Sequence, residues 1–433
     1  MEDPAASPAR RVLVLGTEHP RAAAAVRSLH RAGLRVEVAD HYDPPTALWR
    51  ASRCIADRHR LDEDYPAALD GLLRLGAAGG GLLVPTNDHY LILVSRHHGE
   101  LSRLFTVAAP PWDVLEPVLD KITACGLARE AGLEAPQHFA PRDAADLDAV
   151  LAGLDFAERA YVVKIRMWDS GAADARTLRR VAPGGDDAAA LRARCEDIRA
   201  RTGEYPLIEE VVPGGADRCI GVSMVVDRGH RPVLAYCVRR LKLQLYAKGR
   251  FKHPYELGAN AYCESVHDPE AVEMATRFVA HARFTGAITV ELKRDAVDGR
   301  LKFIKADPRF VRATRLSTAL GLDMPGAVHA VFTGANRPAA AAAADYRDGV
   351  NWIWLEAYAY SLWKNRRDIS LTREVWSLLK RLPKVRAWAY FDWRDPLPSL
   401  LLAATVRRRL RLLENRGART AVPGGKAERA ASG

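Results

Sequence analysis

Several features of specialised proteins are missing from this sequence of 433 residues. It has no run of about eighteen or more uncharged apolar residues, which a membrane-spanning helix needs. Its six cysteines include no Cys-x-x-Cys pair, so neither a zinc site nor a disulfide framework is indicated. Residues 1–11 are too polar for the apolar stretch of a signal peptide, and we therefore expect a cytoplasmic protein.

A nucleic-acid-binding surface is not indicated either, although the formal net charge is +11. Residues 401–433 contain eight basic and two acidic side chains, and so carry over half of that excess. The rest of the chain is only mildly basic. This distribution argues against a nucleic-acid partner and favours a basic tail or an anion-binding cleft.

The N-terminal part predicts a βαβ unit within a globular protein of two or three domains. Residues 11–16, RVLVLG, predict a short buried strand, residues 21–32 a helix and residues 34–40 a second strand. The turn after the first strand, GTEHP, lacks the Gly-x-Gly-x-x-Gly pattern, so dinucleotide binding is not indicated.

Two turns in the next part of the chain contain charged residues. The strand LLVP is followed by Thr86, Asn87 and Asp88 at the start of a helix, which Asp88 most simply caps, with a substrate contact as the alternative. A later helix begins near Asp120, and Lys121 lies in its first turn, where the helix dipole disfavours a cation. We therefore expect Lys121 to have a role other than helix stability, unless it is a surface lysine.

Further cations lie within apolar strands. Lys164 lies inside the apolar strand of YVVKIR, where a lysine either extends its amine to solvent or faces an anion. The predicted meander at 232–251 contains a basic cluster that fits either a solvated loop or a cleft wall receiving phosphates or a carboxylate. That cluster consists of Arg239, Arg240, Lys242, Lys248, Arg250 and Lys252.

Residues 286–310 predict a hairpin of two apolar strands joined by a turn at Asp298 and Gly299. Because side chains alternate between faces along a strand, Lys305, Asp307 and Arg309 should point the same way, with Glu291 beside them on the neighbouring strand. This grouping suggests polyanion and metal chemistry, and a solvated hairpin face is the alternative.

Taken in order, these segments resemble the ATP-grasp superfamily, and most closely its carboxylate–amine ligase type, in the carbamoyl-phosphate-synthetase-like branch. The resemblance spans roughly residues 11–335. It depends on the order and spacing of LLVPTNDHYLILVSRH, LDK with EAGLEAPQHF, YVVKIR, LIEEVVPGG, ITVELKRD and ADPRF.

The resemblance implies an α/β and α+β architecture of several domains. A Rossmann-like pre-ATP-grasp domain would cover 11–118, the small lobe of the clamp 119–212, and the large lobe with the metal-site hairpin 213–337. Beyond it, we expect a helical, Trp-rich extension at 338–419 and disorder at 420–433.

The resemblance also implies an ATP-dependent ligase that activates a small-molecule carboxylate as an acyl phosphate for attack by an amine, with ATP and Mg²⁺ as cofactors. Lys121 and Lys164 would reach the phosphates, and Asp217 the ribose. Glu209, Glu210 and the backbone of Val212 would contact adenine.

The hairpin departs from the family pattern of an acid followed by Glu-x-Asn-Pro-Arg. Glu291 and Arg309 match, but Lys305 replaces the metal-bridging glutamate and Asp307 the asparagine. We expect Glu291 and Asp307 to hold the metal, and Lys305 and Arg309 to act in catalysis. An ammonium supplies no metal ligand, so affinity for two Mg²⁺ ions should fall.

Three explanations of Lys305 follow. The site holds one Mg²⁺ with the ammonium in place of the second, the protein binds nucleotide without ligating, or the alignment is shifted by two residues. The phosphate-covering loop WDSGAADA points to a similar departure, because it contains only Gly171 where several glycines are usual, and a stiffer lid is expected.

The C-terminal part is rich in tryptophan. Trp352, Trp354, Trp363, Trp376 and Trp393 are expected to pack the extension against the body. The last predicted helix combines LLLAAT with RRRLRLL, and it suits either an anionic membrane surface or docking onto protein.

Overall fold

The computed structural model describes residues 10–41, 47–164, 180–181, 187–245, 258–335, 345–364 and 370–402. Within these ranges the strands form three sheets. No helix of the described residues has the length and apolar character needed to cross a membrane. The predicted combination of a Rossmann-like sheet with α+β lobes is confirmed. The predicted domain boundaries stay predictions.

The first sheet is parallel and five-stranded, in the order β3-β2-β1-β4-β5. Its strands are β1 (Arg11–Leu15), β2 (Arg35–His41), β3 (Asp57–Leu61), β4 (Leu82–Pro85) and β5 (Thr106–Val107). Its helices are α1 (Pro20–Arg31), α2 (Ala47–Ala51), α3 (Tyr65–Ala77), α4 (Asp88–Arg96) and α5 (His98–Leu101). Strand β4 is buried along its whole length, as the continuous apolar run predicts.

The second sheet is antiparallel and four-stranded, in the order β6-β9-β7-β8. Helices α6 (Trp112–Leu119) and α7 (Lys121–Glu130) lead into it. Its remaining elements are β6 (His138–Phe139), α8 (Ala144–Gly153), β7 (Tyr161–Lys164), β8 (Arg180–Val181), α9 (Asp187–Thr202) and β9 (Leu207–Glu210). This sheet has its own apolar core, which includes Leu147, Tyr161 and Ile208.

The third sheet has seven strands in the order β14-β13-β10-β11-β12-β15-β16. They are β10 (Cys219–Val226), β11 (Pro232–Leu245), β12 (Gly258–Val266), β13 (Gly286–Arg294), β14 (Leu301–Asp307), β15 (Asn351–Ile353) and β16 (Val385–Trp388). The helices are α10 (Pro269–His281), α11 (Arg315–Ala319), α12 (Met324–Thr333), α13 (Leu355–Lys364) and α14 (Leu371–Arg381).

Two large apolar cores are shared between the first and third sheets. One contains Leu13 and Leu83 together with Phe278 and Phe303. The other contains Val14 and Val84 together with Tyr236 and Trp352. The parallel sheet and the large sheet are therefore packed against each other, while the small sheet keeps a separate core.

The C-terminal extension adds β15 and β16 to the large sheet, which the prediction of a helical extension does not include. Trp352 is fully buried and Trp354 packs against the same core, as expected. The expectation is wrong for Trp376 and Trp393, which are 60% and 85% exposed. Helix α14 has no fully buried residue, although Leu378 packs against the small core of Tyr262, Ile353 and Val385. The Trp363 side chain, the basic segment from 403 and the tail at 420–433 lie outside the described residues.

A buried ion pair holds the extension against the parallel sheet. Arg27 on α1 donates from Nε to Asp395 Oδ2 at 2.9 Å, and its other nitrogens donate to the carbonyls of Tyr390 and Asp395. The two side chains are 1% and 2% exposed. Asp395 also accepts from the Ser52 hydroxyl and the Arg53 backbone. Each guanidinium nitrogen of Arg27 and each carboxylate oxygen of Asp395 thus has a hydrogen-bond partner within the protein.

The Asp395→Ala variant should unfold about 3–5 kcal/mol more easily than the wild type, because the Arg27 guanidinium would stay buried without its counter-charge. Urea unfolding of the full chain measures this. The matched control is Arg394→Ala, which removes an exposed neighbour and should change stability by less than about 0.5 kcal/mol. Equal unfolding midpoints for both variants would contradict this account.

Candidate functional site

The hairpin of β13 and β14 places two carboxylates around one ammonium. Glu291 lies directly across from Lys305, and Asp307 lies across from Thr289. Lys305 and Asp307 are two residues apart on β14 and therefore share a face. Lys305 Nζ is 2.7 Å from Asp307 Oδ2 and 3.8 Å from Glu291 Oε1. The predicted grouping on one face is what the structure has, and Lys305 lies between the two acids.

Two arginines complete this cluster. Arg240, on β11, forms an ion pair with Glu291, and Arg309 lies 3.5 Å from Asp307 Oδ1. Burial would raise the pKa of Asp307, but the charges of Lys305 and Arg309 outweigh it and hold that pKa well below its ordinary value. Burial would lower the pKa of Lys305, but Asp307 and Glu291 raise it above the usual lysine value. These shifts favour the ionised form of Asp307 and the charged form of Lys305.

Asp88 connects this cluster to the parallel sheet. The helix α4 is capped by Asn87, whose side chain accepts from the Tyr90 amide at 3.0 Å. The prediction that Asp88 is the cap is therefore wrong. Asp88 instead accepts two hydrogen bonds from Arg309, at 2.6 and 2.8 Å. Asparagine and aspartate cap helices equally well, and the arginine is 221 residues away, so the local sequence could not separate the two roles.

Lys121 follows the N-cap of α7, where Asp120 accepts from the Thr123 amide at 2.9 Å. Its ammonium lies close enough to Lys305 and Asp307 of this cluster, and to Lys164 and Glu209, to interact with their charges. Burial lowers its pKa, and the charges of Lys164 and Lys305 lower it further, to about 8. Three lysines from α7, β7 and β14 therefore converge on one region between the small and large sheets.

Lys164 is anchored by a buried acid that also binds a histidine. Glu209 on β9 forms an ion pair with Lys164, and its Oε2 is 3.0 Å from His138 Nε2. Burial raises the pKa of Glu209, but Lys164 and His138 outweigh it and lower the pKa. The sequence analysis missed His138. His138 is recognised once the pairing of β6 with β9 is known, because that pairing sets His138 opposite Glu209.

The other residues assigned to the nucleotide are more scattered. Glu210 accepts from Arg159 at 2.7 Å, and the buried Val212 has its carbonyl bound by Lys293 Nζ at 2.7 Å. Asp217 lies in an exposed 3-10 turn, Ala216–Arg218. Their assignment to adenine and ribose stays a prediction.

Only part of the predicted basic cluster can be placed. Arg240 joins the acidic hairpin, whereas Arg239 donates to Glu264 at 3.0 Å along the neighbouring strand. The other four side chains of that cluster are outside what the structure describes, and so is the loop WDSGAADA with Gly171. The expectation of a stiff lid stays a prediction.

The charges of this region fit a polyphosphate better than a pair of metal ions. Among the described residues, no group of three or more His, Cys, Asp or Glu side chains could hold a metal. Glu291 and Asp307 are the two carboxylates in reach, and both contact Lys305. Magnesium needs oxygen ligands, and these two carboxylates fit one ion but not two. The converging lysines and arginines supply charges that suit phosphate oxygens.

Comparison with solved structures finds proteins with this architecture. The biotin carboxylase domain of 2-oxoglutarate carboxylase from Hydrogenobacter thermophilus, solved with MgADP, ADP and bicarbonate, has a TM-score of 0.58 and 13% identity over 79% of this chain and 73% of that chain. An L-amino acid ligase from Bacillus licheniformis has a TM-score of 0.54 and 14% identity over 79% of this chain and 78% of that chain.

An N5-carboxyaminoimidazole synthase from Aspergillus clavatus, in complex with ADP and 5-aminoimidazole ribonucleotide, has a TM-score of 0.54 and 16% identity over 77% of this chain and 79% of that chain. No family model and no curated protein sequence matches the chain. At these identities the likeness establishes the fold alone.

The Lys305→Glu variant should bind Mn²⁺, used as a probe for Mg²⁺, at least about tenfold more tightly than the wild type, because a third carboxylate replaces the bridging ammonium. Calorimetric titration of the nucleotide-free protein measures this. The control Lys305→Met removes the ammonium without adding a ligand, so it should bind Mn²⁺ less tightly than Lys305→Glu. Equal affinities of wild type and Lys305→Glu, with both folded by circular dichroism, would contradict the account.

Proposed function

We propose that this chain, whose fold is the ATP-grasp fold that its motifs predicted, is an ATP-dependent ligase that joins a small-molecule carboxylate to an amine. The observation that carries the proposal is the convergence of Lys121, Lys164 and Lys305 beside Glu291 and Asp307. The three solved structures described above are a biotin carboxylase domain, an amino acid ligase and a carboxyaminoimidazole synthase, and the first and the third contain ADP.

ATP is the first cofactor of the proposal. Burial, together with the charges of Lys164 and Lys305, lowers the pKa of Lys121 to about 8, and the negative charges of a triphosphate would offset the repulsion between these cations. Lys164 is oriented by Glu209, which in turn contacts His138. In this proposal Lys121 and Lys164 bind phosphate oxygens, and Glu209, Glu210 and Val212 lie on the adenine side.

Mg²⁺ is the second cofactor, held by Glu291 and Asp307 as one ion. When bound, it neutralises phosphate charge during transfer. Lys305 contributes a fixed positive charge to the same two carboxylates, so part of this neutralisation is built into the protein. This interpretation is the first explanation of Lys305 in the sequence analysis, in which the site holds one Mg²⁺ and the ammonium takes the place of the second.

The reaction has two steps. A carboxylate oxygen of the substrate attacks the γ-phosphorus, the bond to the β-phosphate oxygen breaks, and ADP leaves with that electron pair. The amine then attacks the carbonyl carbon of the acyl phosphate, loses a proton and releases phosphate. The protein stabilises charge and positions the groups, so neither step needs a side-chain nucleophile. In this proposal Arg309, which donates to both oxygens of Asp88, orients an oxyanion.

ADP formation should depend on Mg²⁺ and rise when a cognate carboxylate and amine are both present. The Lys164→Met variant should lower the rate about 100-fold or more, because one fixed positive charge at the phosphates is lost. A coupled ADP assay over pools of carboxylates and amines measures both effects. Lys384→Met, an exposed lysine in the extension, is the matched control and should keep the wild-type rate. Absence of any nucleotide binding by calorimetry would contradict the proposal.

A second candidate is a protein that binds ATP without ligation. One observation favours it, the ammonium of Lys305 between the two expected metal ligands. In that case the wild type binds ATP but forms no ADP against the same pools, and Lys305→Glu gains turnover. The further suggestion that the basic tail contacts an anionic membrane stays a prediction, because residues 403–433 are outside the described part of the chain.

A further inference from the structure

Helix α1 begins inside the protein, at the boundary between the parallel sheet and the C-terminal part of the chain. Its first residues, Pro20 and Arg21, are buried. The N-cap residue His19 makes no side-chain capping bond, and the first turn contains no acidic residue. The positive end of the helix dipole is therefore not offset by the usual side chains.

Arg21 lies in this first turn and is 5% exposed. Among the described residues, its guanidinium Nε has no hydrogen-bond partner. A buried guanidinium normally has an acid or carbonyl oxygen at each nitrogen. Arg27, later on the same helix, is an example. An unpartnered nitrogen on a buried arginine therefore points to a missing anion.

A second arginine shares this environment. Helix α1 packs against the 3-10 turn Arg312–Thr314. The Nε of Arg312 is also buried and has no partner among the residues that the structure describes. Its guanidinium lies 5.7 Å from the ring centre of Trp354, which positions it without neutralising its charge. Two arginines on neighbouring elements thus each leave a donor unused.

The acids nearby do not offset these charges. Burial lowers the pKa of Arg21, and Arg309 and Arg312 lower it further, to about 9, although Asp88 and Glu18 oppose the shift. Asp88 already accepts from Arg309 through both oxygens. Glu18 is about half exposed and contacts His19 at 3.3 Å. The region consequently has an excess of positive charge.

We propose that Arg21, Arg312 and the N-terminus of α1 form a subsite for an anionic group, a carboxylate or a phosphate, carried by the ligase substrate. The guanidinium fork and a helix N-terminus both bind such groups through several hydrogen bonds. The subsite borders Arg309, and through it the cluster of Asp307 and Lys305, so its ligand lies beside the proposed reaction centre. The assignment of that ligand as a substrate rests on the proposed function.

The test is a calorimetric titration of the full chain with two probes, inorganic phosphate and succinate, at constant ionic strength. Arg21→Met and Arg312→Met should each weaken binding of the preferred probe about tenfold or more. Arg103→Met removes an exposed arginine of the same domain and should bind like the wild type. Preference for phosphate indicates a phosphorylated substrate, and preference for succinate a substrate with a second carboxylate.

Stability separates this role from a structural one. Without added anion, Arg21→Met should melt at a higher temperature than the wild type, because a buried charge without a partner is removed. A structural role predicts a lower melting temperature. If Arg21→Met does not fold, Arg21→Lys keeps the charge, loses the fork geometry and should still weaken probe binding.

The outcomes distinguish the subsite from the proposed function. Lys164→Met should weaken ATP binding and leave the Arg21-dependent binding of the probe unchanged. Failure of ATP to bind with the probe response intact would overturn the ligase proposal and keep the anion subsite. Probe binding that is absent in the wild type, or equal in wild type, Arg21→Met and Arg312→Met, would overturn the subsite.

Discussion

The site depends on one electrostatic constraint, the position of the Lys305 ammonium between Glu291 and Asp307. Two carboxylates on adjacent strands repel each other when both are charged, and a cation between them offsets that repulsion. In this chain the positive charge between the two acids comes from a side chain, the Lys305 ammonium. Arg240 pairs with Glu291 and Arg309 lies beside Asp307, so each acid has a second cation near it. Its consequence is a group of charged side chains that is ordered before any ligand binds.

The same charges link the site to the rest of the fold. Arg309 reaches from the end of the β13–β14 hairpin to Asp88 on α4, so the parallel sheet and this hairpin are held in one arrangement. Arg27 and Asp395 join the extension to α1, whose first turn carries Arg21. Arg21 on α1 and Arg312 on the turn Arg312–Thr314 each have a buried Nε without a hydrogen-bond partner among the described residues. Positive charge that no acid fully offsets is therefore found on the side of α1 that faces the third sheet's elements.

The sequence was informative wherever local geometry decides the outcome. Alternation along β14 correctly put Lys305 and Asp307 on one face, and the apolar runs located β1, β4 and β13. Predictions from the sequence were wrong where the partner of a residue is distant in the chain, or where burial determines the position of a side chain. Asp88 was taken for a cap because its arginine lies in another domain. Trp376 on α14 and Trp393 in a turn were expected inside because aromatic residues are usually buried, and the sequence does not state which of them finds a neighbour. The unused donors of Arg21 and Arg312 are visible only once packing is known.

The number of metal ions at the hairpin tests the central claim most directly. Crystals grown with a non-hydrolysable ATP analogue and Mn²⁺ give that number from anomalous diffraction. The account predicts at most one Mn²⁺ at Glu291 and Asp307, with Lys305 Nζ still in contact with Asp307. Two Mn²⁺ ions bridged by these carboxylates, with the Lys305 side chain turned away, would contradict it.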